Sequence, residues 1–139
     1  MSSIEADNLA FVRAVFEEGW NRGSFGFLEG RTAPLVSFHY NGQTSATTAD
    51  SLPGLVQAWR NAFPDLRFEI RHLLADGDLV AVSLVFRGTH RGSWWGAAPS
   101  GTAVEAEETM FFRFEKGALV EMWELFDERG LRRQIGASD

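Results

Sequence analysis

The fold is decided by the stretch from Arg67 to His90, RFEIRHLLADGDLVAVSLVFRGTH. Residues 67–73 alternate between polar and apolar side chains, which is the period of a β-strand. The Asp76-Gly77-Asp78 segment has the composition of a tight turn, and residues 79–90 form a second strand. Two further strands follow, over residues 102–114 and 119–127. The sequence therefore predicts a meander of four antiparallel strands.

Helical patterns come before this meander. Ser2 and Glu5 have capping-box spacing at the start of an amphipathic helix. Further elements are predicted in chain order: a strand over residues 35–40, a loop over 43–50, a second helix over 51–63, and a short helical turn over 128–134. Helices followed by antiparallel strands are typical of an α+β fold, with helices packed on one face of a curved sheet. We expect one domain over residues 1–139.

Both faces of the strand over residues 79–90 are mostly apolar. A sheet with one solvated face alternates cleanly, so both faces of this sheet are expected to be covered. Helices and a cavity account for one face. We predict that the other face packs against a second copy of the chain in a homodimer.

Composition excludes several classes of protein. Of the 139 residues, 45% are hydrophobic and 13% aromatic, which suits a core with an apolar cavity and equally a rich core alone. The net charge is −6 and basic residues are scattered, so neither a nucleic acid nor an anionic membrane is an expected partner. There is no cysteine and no segment typical of a signal peptide or a membrane span. We expect a cytoplasmic protein.

Asp127 is the strongest candidate for chemistry. It ends the apolar, aromatic strand 119–127, and a carboxylate there is expected at the mouth or floor of a pocket. Desolvation would raise its pKa and make it a general acid or base. Counting by twos places Trp123 on the same face. The alternative is that Asp127 caps the helical turn that follows, a common role for Asp.

Four other side chains are candidates to surround a ligand. His90 ends its strand and could orient a ligand or hydrogen-bond the acid, or be a half-exposed loop residue. His39 and Tyr40 point in opposite directions, and His39 is our candidate for the cavity. Trp95 lies in a loop where it could close the cavity, and Trp59 lies on the apolar face of the second helix.

No metal or cofactor is expected. The three His residues are isolated, and GxSxG, P-loop and GxGxxG motifs are absent. Glu105 and Glu107 share one face of the strand 102–114 and are interpreted as exposed or dimer-face carboxylates, whereas Glu108 lies on the other face.

Several segments together resemble the SnoaL-like polyketide cyclase family of the NTF2-like superfamily. They are Ala62-Phe63-Pro64-Asp65-Leu66, Ala75 to Ala81, Gly88-Thr89-His90-Arg91-Gly92, Pro99-Ser100-Gly101, Glu121-Met122-Trp123, Asp127 and Leu131 to Gly136. The resemblance implies an NTF2-like, cystatin-like conical α+β barrel around a deep apolar pocket, and dimerisation through the sheet.

The resemblance also implies a chemistry. In characterised cyclases, an Asp at the position of Asp127 is the general acid/base of an intramolecular aldol closure that needs no cofactor or metal. His90 and His39 match positions often held by His in the wider family. The family's supporting His on the third strand has no counterpart, because residues 103–114 contain no His.

The leading hypothesis is a cofactor-independent cyclase- or isomerase-type enzyme acting on a small apolar, carbonyl-bearing, polyketide-like molecule. In it, Asp127 is the acid/base, and His90 and Trp123 shape the pocket. A ketosteroid-isomerase-like proton shuttle is a second enzymatic hypothesis, with Tyr40 as the only available phenol. The third is a non-catalytic, ligand-binding or dimeric accessory module.

Overall fold

The computed structural model describes residues 1–138 and contains three α-helices packed on a curved, six-stranded sheet. The helices are α1 (Ser3–Ala14), α2 (Leu52–Ala62) and α3 (Glu128–Ile135). The strands are β1 (Thr32–Tyr40), β2 (Gln43–Thr47), β3 (Arg67–Asp76), β4 (Leu79–Thr89), β5 (Ala103–Glu115) and β6 (Ala118–Phe126). Within residues 1–138 no helix has the length and apolarity needed to cross a membrane.

The α+β fold class is confirmed, and the predicted meander corresponds to β3 through β6. The sheet order is β2-β1-β6-β5-β4-β3. One detail of the prediction is wrong: β1 pairs with β6 in parallel, so the sheet is mixed. The sheet is also open and does not close into a barrel. A hairpin fixes the antiparallel direction of consecutive strands, but β1 reaches β6 only through the fold as a whole.

The segment predicted as a loop after β1 forms the edge strand β2. Asn41 and Gly42 both have positive φ and join the two strands in a tight turn. All but one of the β2 residues are exposed, so this strand carries no apolar alternation that a sequence pattern could reveal. Its pairing with β1 therefore depends on the turn and on backbone hydrogen bonds.

The N-terminal helix begins as predicted and then changes its winding. Ser2 and Glu5 form the complete capping box. After α1 the chain continues as a π-helix over Val15–Trp20. This wider helix buries Phe16 and leaves Trp20 half-buried against the sheet. Short π-helical segments occur often at functional sites, and this one contributes two aromatic rings to the space described below.

The two faces of the sheet differ. Along β5, every even-numbered residue is buried and the odd-numbered residues are exposed except half-buried Arg113. The buried set faces the helices. On the opposite, outer face, Leu74, Phe111 and Leu125 are exposed although they are large and apolar. The homodimer predicted from the apolar strands would cover this face, and it stays a prediction.

Candidate active site

Two cavities lie between the helices and the inner face of the sheet. The first has a volume of about 120 Å³ and the second of about 320 Å³. They share a wall, because the same side chains line both of them: Trp20, Phe38, Leu55, Glu108 and Glu124. Two carboxyl groups therefore lie at the junction of two apolar spaces.

The sheet register brings these two carboxyl groups together. Glu108 lies opposite Phe126 on the neighbouring strand, and Met110 lies opposite Glu124. Glu108 and Glu124 are thus diagonal neighbours on one face of β5 and β6, within reach of each other. Each carboxyl group lies within hydrogen-bonding reach of the other. Since a carboxylate only accepts hydrogen bonds, a hydrogen bond between them requires a proton on one of the two.

Burial makes the pair weakly acidic. Glu108 is 5% exposed, and desolvation, then the charge of Glu124, raise its pKa well above the usual 4.5. Desolvation also raises the pKa of Glu124. Within residues 1–138 no Lys, Arg or His side chain lines either cavity. The pair therefore holds a proton more tightly than an exposed carboxyl group does.

A sequence signal for this pair existed. On β5 the residues that face the helices are Val104, Ala106, Glu108, Met110 and Phe112, so a glutamate interrupts a buried apolar series. On β6 the corresponding series is Met122, Glu124 and Phe126. The prediction from sequence instead used the other set of alternating positions on this strand, which ends at Asp127. A charged residue at a core position of a strand is the pattern that would have revealed the site.

The larger cavity has a second polar group. The Tyr40 hydroxyl donates a hydrogen bond to Glu128 Oε1 at 2.9 Å, and Arg132 Nε donates to Glu128 Oε2 at 2.9 Å. Desolvation, then the hydrogen bond to Glu128, raise the pKa of Tyr40 above its usual range. Tyr40 therefore stays protonated and acts as a donor. Arg132 also lies 4.2 Å from the centroid of the Trp95 ring and links α3 to the loop above the cavity.

Asp127 lies outside both cavities. Its side chain is exposed, and its Oδ1 accepts a hydrogen bond from the Gly130 backbone N–H at 2.9 Å. It is the N-cap of α3, so the capping alternative is confirmed. It borders a shallow surface depression that Asn41, Glu107 and Glu108 also line. The catalytic role implied by the family resemblance stays a prediction, and the buried surroundings expected for it belong to the glutamate pair.

His39 and Trp123 lie on the outer face of the sheet, so the expectation that they line the cavity does not fit the structure. Their rings stack with centroids 5.3 Å apart. His39 Nε2 lies 2.7 Å from Glu121 Oε2, and Arg113 Nε donates to Glu121 Oε1 at 3.0 Å. On the alternating strand β1, Tyr40 takes the inward position that was assigned to His39. The reason is that the face of β6 carrying Trp123 and Asp127 points away from the helices.

His90 is fully buried but does not line a cavity. Its Nδ1 accepts a hydrogen bond from the Ser100 backbone N–H at 3.1 Å, and its ring packs on Phe63. Its backbone also pairs with Gly101 and Thr102, which closes the base of the loop over residues 91–102. His90 thus holds this loop in place. Its predicted catalytic role has no contact with the glutamate pair to support it.

Trp59 and Trp95 do lie where the sequence analysis expected them, in the wall of the larger cavity. Trp94 of the same loop joins them, and the three rings lie 4.8 to 6.0 Å apart. Their role in ligand binding stays a prediction. Within residues 1–138 no group of three or more His, Cys, Asp or Glu side chains is arranged to hold a metal ion.

Comparisons with known proteins agree with this fold. The family model for SnoaL-like polyketide cyclases matches residues 10–135. A structure from Jannaschia sp. CCS1, provisionally assigned as a SnoaL-like polyketide cyclase, superimposes with a TM-score of 0.83 at 23% identity, covering 100% of this chain and 98% of that one. At that identity the likeness concerns the fold. A search of curated proteins finds no match.

Two structures from Streptomyces are slightly more similar in sequence. IdmH from Streptomyces antibioticus, provisionally assigned as a polyketide cyclase, has a TM-score of 0.77 at 26% identity, covering 92% of this chain and 97% of that one. AclR from Streptomyces galilaeus, provisionally assigned as a hydroxylase, has a TM-score of 0.75 at 26% identity, covering 98% and 82%. Proteins assigned to different reactions thus share this architecture, and the site must decide the function.

Proposed function

We propose that this chain, which belongs to the SnoaL-like polyketide cyclase family, is a cofactor-independent enzyme. It would transfer protons to and from a small apolar carbonyl compound. The observation that carries the proposal is the Glu108–Glu124 pair at the junction of the two cavities. Burial raises the pKa of both groups, and a pair that keeps one proton and loses the other presents an acid and a base side by side. Proton transfer next to a carbonyl needs such a combination.

The first step is formation of an enol. The Glu124 carboxylate removes a proton from the carbon beside the carbonyl, and the electron pair of that C–H bond forms a carbon–carbon double bond. The carbonyl oxygen takes the proton of Glu108. Glu124 ends protonated and Glu108 ionised, so the total charge of the site is unchanged. The apolar walls exclude water and strengthen both hydrogen bonds to the reacting group.

The second step decides the type of reaction. If the enol carbon attacks another carbonyl of the same molecule, Glu108 accepts the enol proton and Glu124 protonates the new alkoxide, which closes a ring. If a different carbon is protonated instead, the product is an isomer. The provisional assignment of IdmH as a polyketide cyclase supports ring closure for this chain. We therefore propose an intramolecular aldol closure as the reaction.

One observation favours a second candidate, a binding module without catalysis. Asp127, at the position of the acid/base in characterised cyclases, is exposed and caps α3. A chain in which this Asp serves only as a helix cap would have the cavity without the reaction. The two candidates differ in whether Glu108 and Glu124 act on a bound molecule.

The test is exchange of hydrogen for deuterium beside the carbonyl of small apolar ketones in deuterium oxide, followed by NMR. We expect the wild type to accelerate exchange and Glu124→Gln to lower that rate by about 100-fold or more, as is usual when a general base is removed. Glu108→Gln should also lower it, because an amide is a much weaker acid. In both variants the amide can still hydrogen-bond the remaining carboxyl, which preserves the fold.

Glu121→Gln is the matched control. It removes a carboxylate from the same strand, β6, but from the outer face. Its exchange rate should stay within about threefold of the wild type, as expected for a surface substitution. Exchange in the wild type that is no faster than in Glu124→Gln, with both proteins folded by circular dichroism, would favour the binding module.

A further inference from the structure

The two cavities have walls of different chemistry. The side chains that line only the larger cavity are all aromatic apart from Glu128. Of the fifteen that line only the smaller one, eight are aliphatic or Met, three are Phe and four are Thr or Ser. Aromatic walls favour flat rings, through offset or edge-to-face contacts. The more aliphatic wall gives a weaker preference of this kind and also suits a flexible hydrocarbon.

The aromatic wall presents both faces and edges of indole rings. Trp59 lies at its centre, with the Trp94 ring at 4.8 Å and the Trp95 ring at 5.7 Å. The planes of Trp59 and Trp95 meet at 88°, so the edge of one ring meets the face of the other. A ligand ring beside them has both an indole face and an indole edge to contact.

The volumes limit the size of each part of the ligand. A buried apolar cavity of about 150 Å³ holds one benzene molecule. By that measure the smaller cavity, at about 120 Å³, takes roughly five carbon atoms. The larger one, at about 320 Å³, takes roughly two fused rings. A long alkyl chain or a large fused system would extend beyond either cavity.

We propose that the ligand is a two-part molecule, an aryl group of one or two rings joined through a carbonyl to a short alkyl chain, with a second carbonyl on one of the two parts where ring closure is the reaction. The aryl group occupies the larger cavity, the alkyl chain occupies the smaller one, and the carbonyl lies against Glu108 and Glu124 at the junction. The position of the carbonyl rests on the proposed function, whereas the sorting of the two ends rests on the walls alone. Trp95 and Leu52, each lining one cavity, are then specificity-determining residues.

The test compares three ketones by isothermal titration calorimetry: hexanoylnaphthalene, which has both parts, acetylnaphthalene, which has the aryl part, and methyl pentyl ketone, which has the alkyl part. Joining two fragments that bind adjacent sites increases affinity. We expect hexanoylnaphthalene to bind at least about tenfold more tightly than either partial ligand. Equal affinity of the joined ketone and the better partial ligand would overturn the proposal.

Two variants test the sorting. Trp95→Leu removes an aromatic wall and should weaken both naphthyl ketones by about three- to tenfold, the usual value of an aromatic contact, while methyl pentyl ketone is unaffected. Leu52→Phe fills part of the smaller cavity and should weaken the two ketones with a pentyl chain, leaving acetylnaphthalene unaffected. Trp59→Leu repeats the first test with a residue of α2. An equal loss of affinity for all three ketones in these variants would overturn the assignment of the aryl group to the larger cavity and the alkyl chain to the smaller one.

These experiments distinguish failure of the two-part ligand from failure of the proposed function. If the three affinities sort as described but wild-type exchange on hexanoylnaphthalene equals that of Glu124→Gln, the proposed function is wrong and the two-part site is supported. If exchange depends on Glu124 but the affinities do not sort, the proton transfer is supported and the two-part ligand is overturned.

Discussion

Glu121 and Glu124 lie three residues apart on β6, yet their surroundings give them opposite acidities. Glu121 is on the outer face, where its hydrogen bond with His39, followed by that with Arg113, lowers its pKa. Glu124 is on the inner face, where desolvation raises its pKa and no basic side chain lines the cavities within residues 1–138. Odd and even positions on β6 point to opposite faces of the sheet. The face therefore decides whether a glutamate is held by basic partners or lies in an apolar wall, where it can exchange a proton.

The same contrast appears between Glu108 and Asp127. Both were carboxylates of uncertain role in the sequence, on or directly after neighbouring strands. Asp127 accepts a backbone hydrogen bond and caps a helix in contact with solvent. Glu108 is buried next to a second carboxyl group. The hydrogen bond to the backbone gives Asp127 a structural role, whereas Glu108 has a second carboxyl group within reach in an apolar wall.

The pH dependence of stability tests the comparison with the largest expected effect. Glu108 has a raised pKa in the folded protein, so between the usual 4.5 and the raised value only the unfolded chain has lost this proton. Its contribution to stability therefore falls as pH rises through that window. For Glu121, with a lowered pKa, the contribution is present above 4.5 and is lost as pH falls through the folded value.

Urea denaturation of the variants between about pH 4 and pH 9 measures this difference. Glu108→Gln should gain stability relative to the wild type as pH rises. Glu121→Gln should lose stability relative to the wild type at neutral pH and approach it in acid. If the curve of Glu108→Gln runs parallel to that of the wild type, the pKa of Glu108 is not raised and the contrast between the two faces fails.

Replacing Asp127 gives a smaller effect. Asp127→Ala removes the N-cap of α3 and should cost about 1 kcal/mol of unfolding free energy, or roughly 3 °C in Tm. Asp127→Asn keeps a side chain that can cap, so its stability should stay close to that of the wild type. Normal stability of Asp127→Asn combined with complete loss of deuterium exchange would instead assign the acid/base role to Asp127.

Much of the fold follows from sequence pattern. The capping box at Ser2, the turn at Asp76-Gly77-Asp78 and the alternation along β5 are local signals, and each predicted its element. The strand β2 and the parallel pairing of β1 with β6 were missed, because an exposed edge strand has no apolar pattern and a long-range pairing has no local signal.

The candidate site was predicted less well, and the reason is also physical. Trp59 and Trp95 were placed by helix periodicity and loop position, and both line the larger cavity. The acid was sought at the end of β6, on the face that points outward. A period of two gives two faces but does not say which one meets the helices. The inner face is marked by the apolar neighbours of Glu108 on β5 and of Glu124 on β6. This signal is visible only when the two strands are considered together.

The central claim is that Glu108 and Glu124 share a proton in an apolar site. It is tested most directly by a pH titration of the side-chain carboxyl ¹³C signals, with Glu108→Gln, Glu124→Gln and Glu121→Gln used to assign them. We expect the Glu108 carboxyl to titrate well above 4.5, with the Glu124 signal changing in the same experiment. The Glu121 carboxyl should titrate below 4.5. Titration of Glu108 near 4.5, independent of Glu124, would contradict the account.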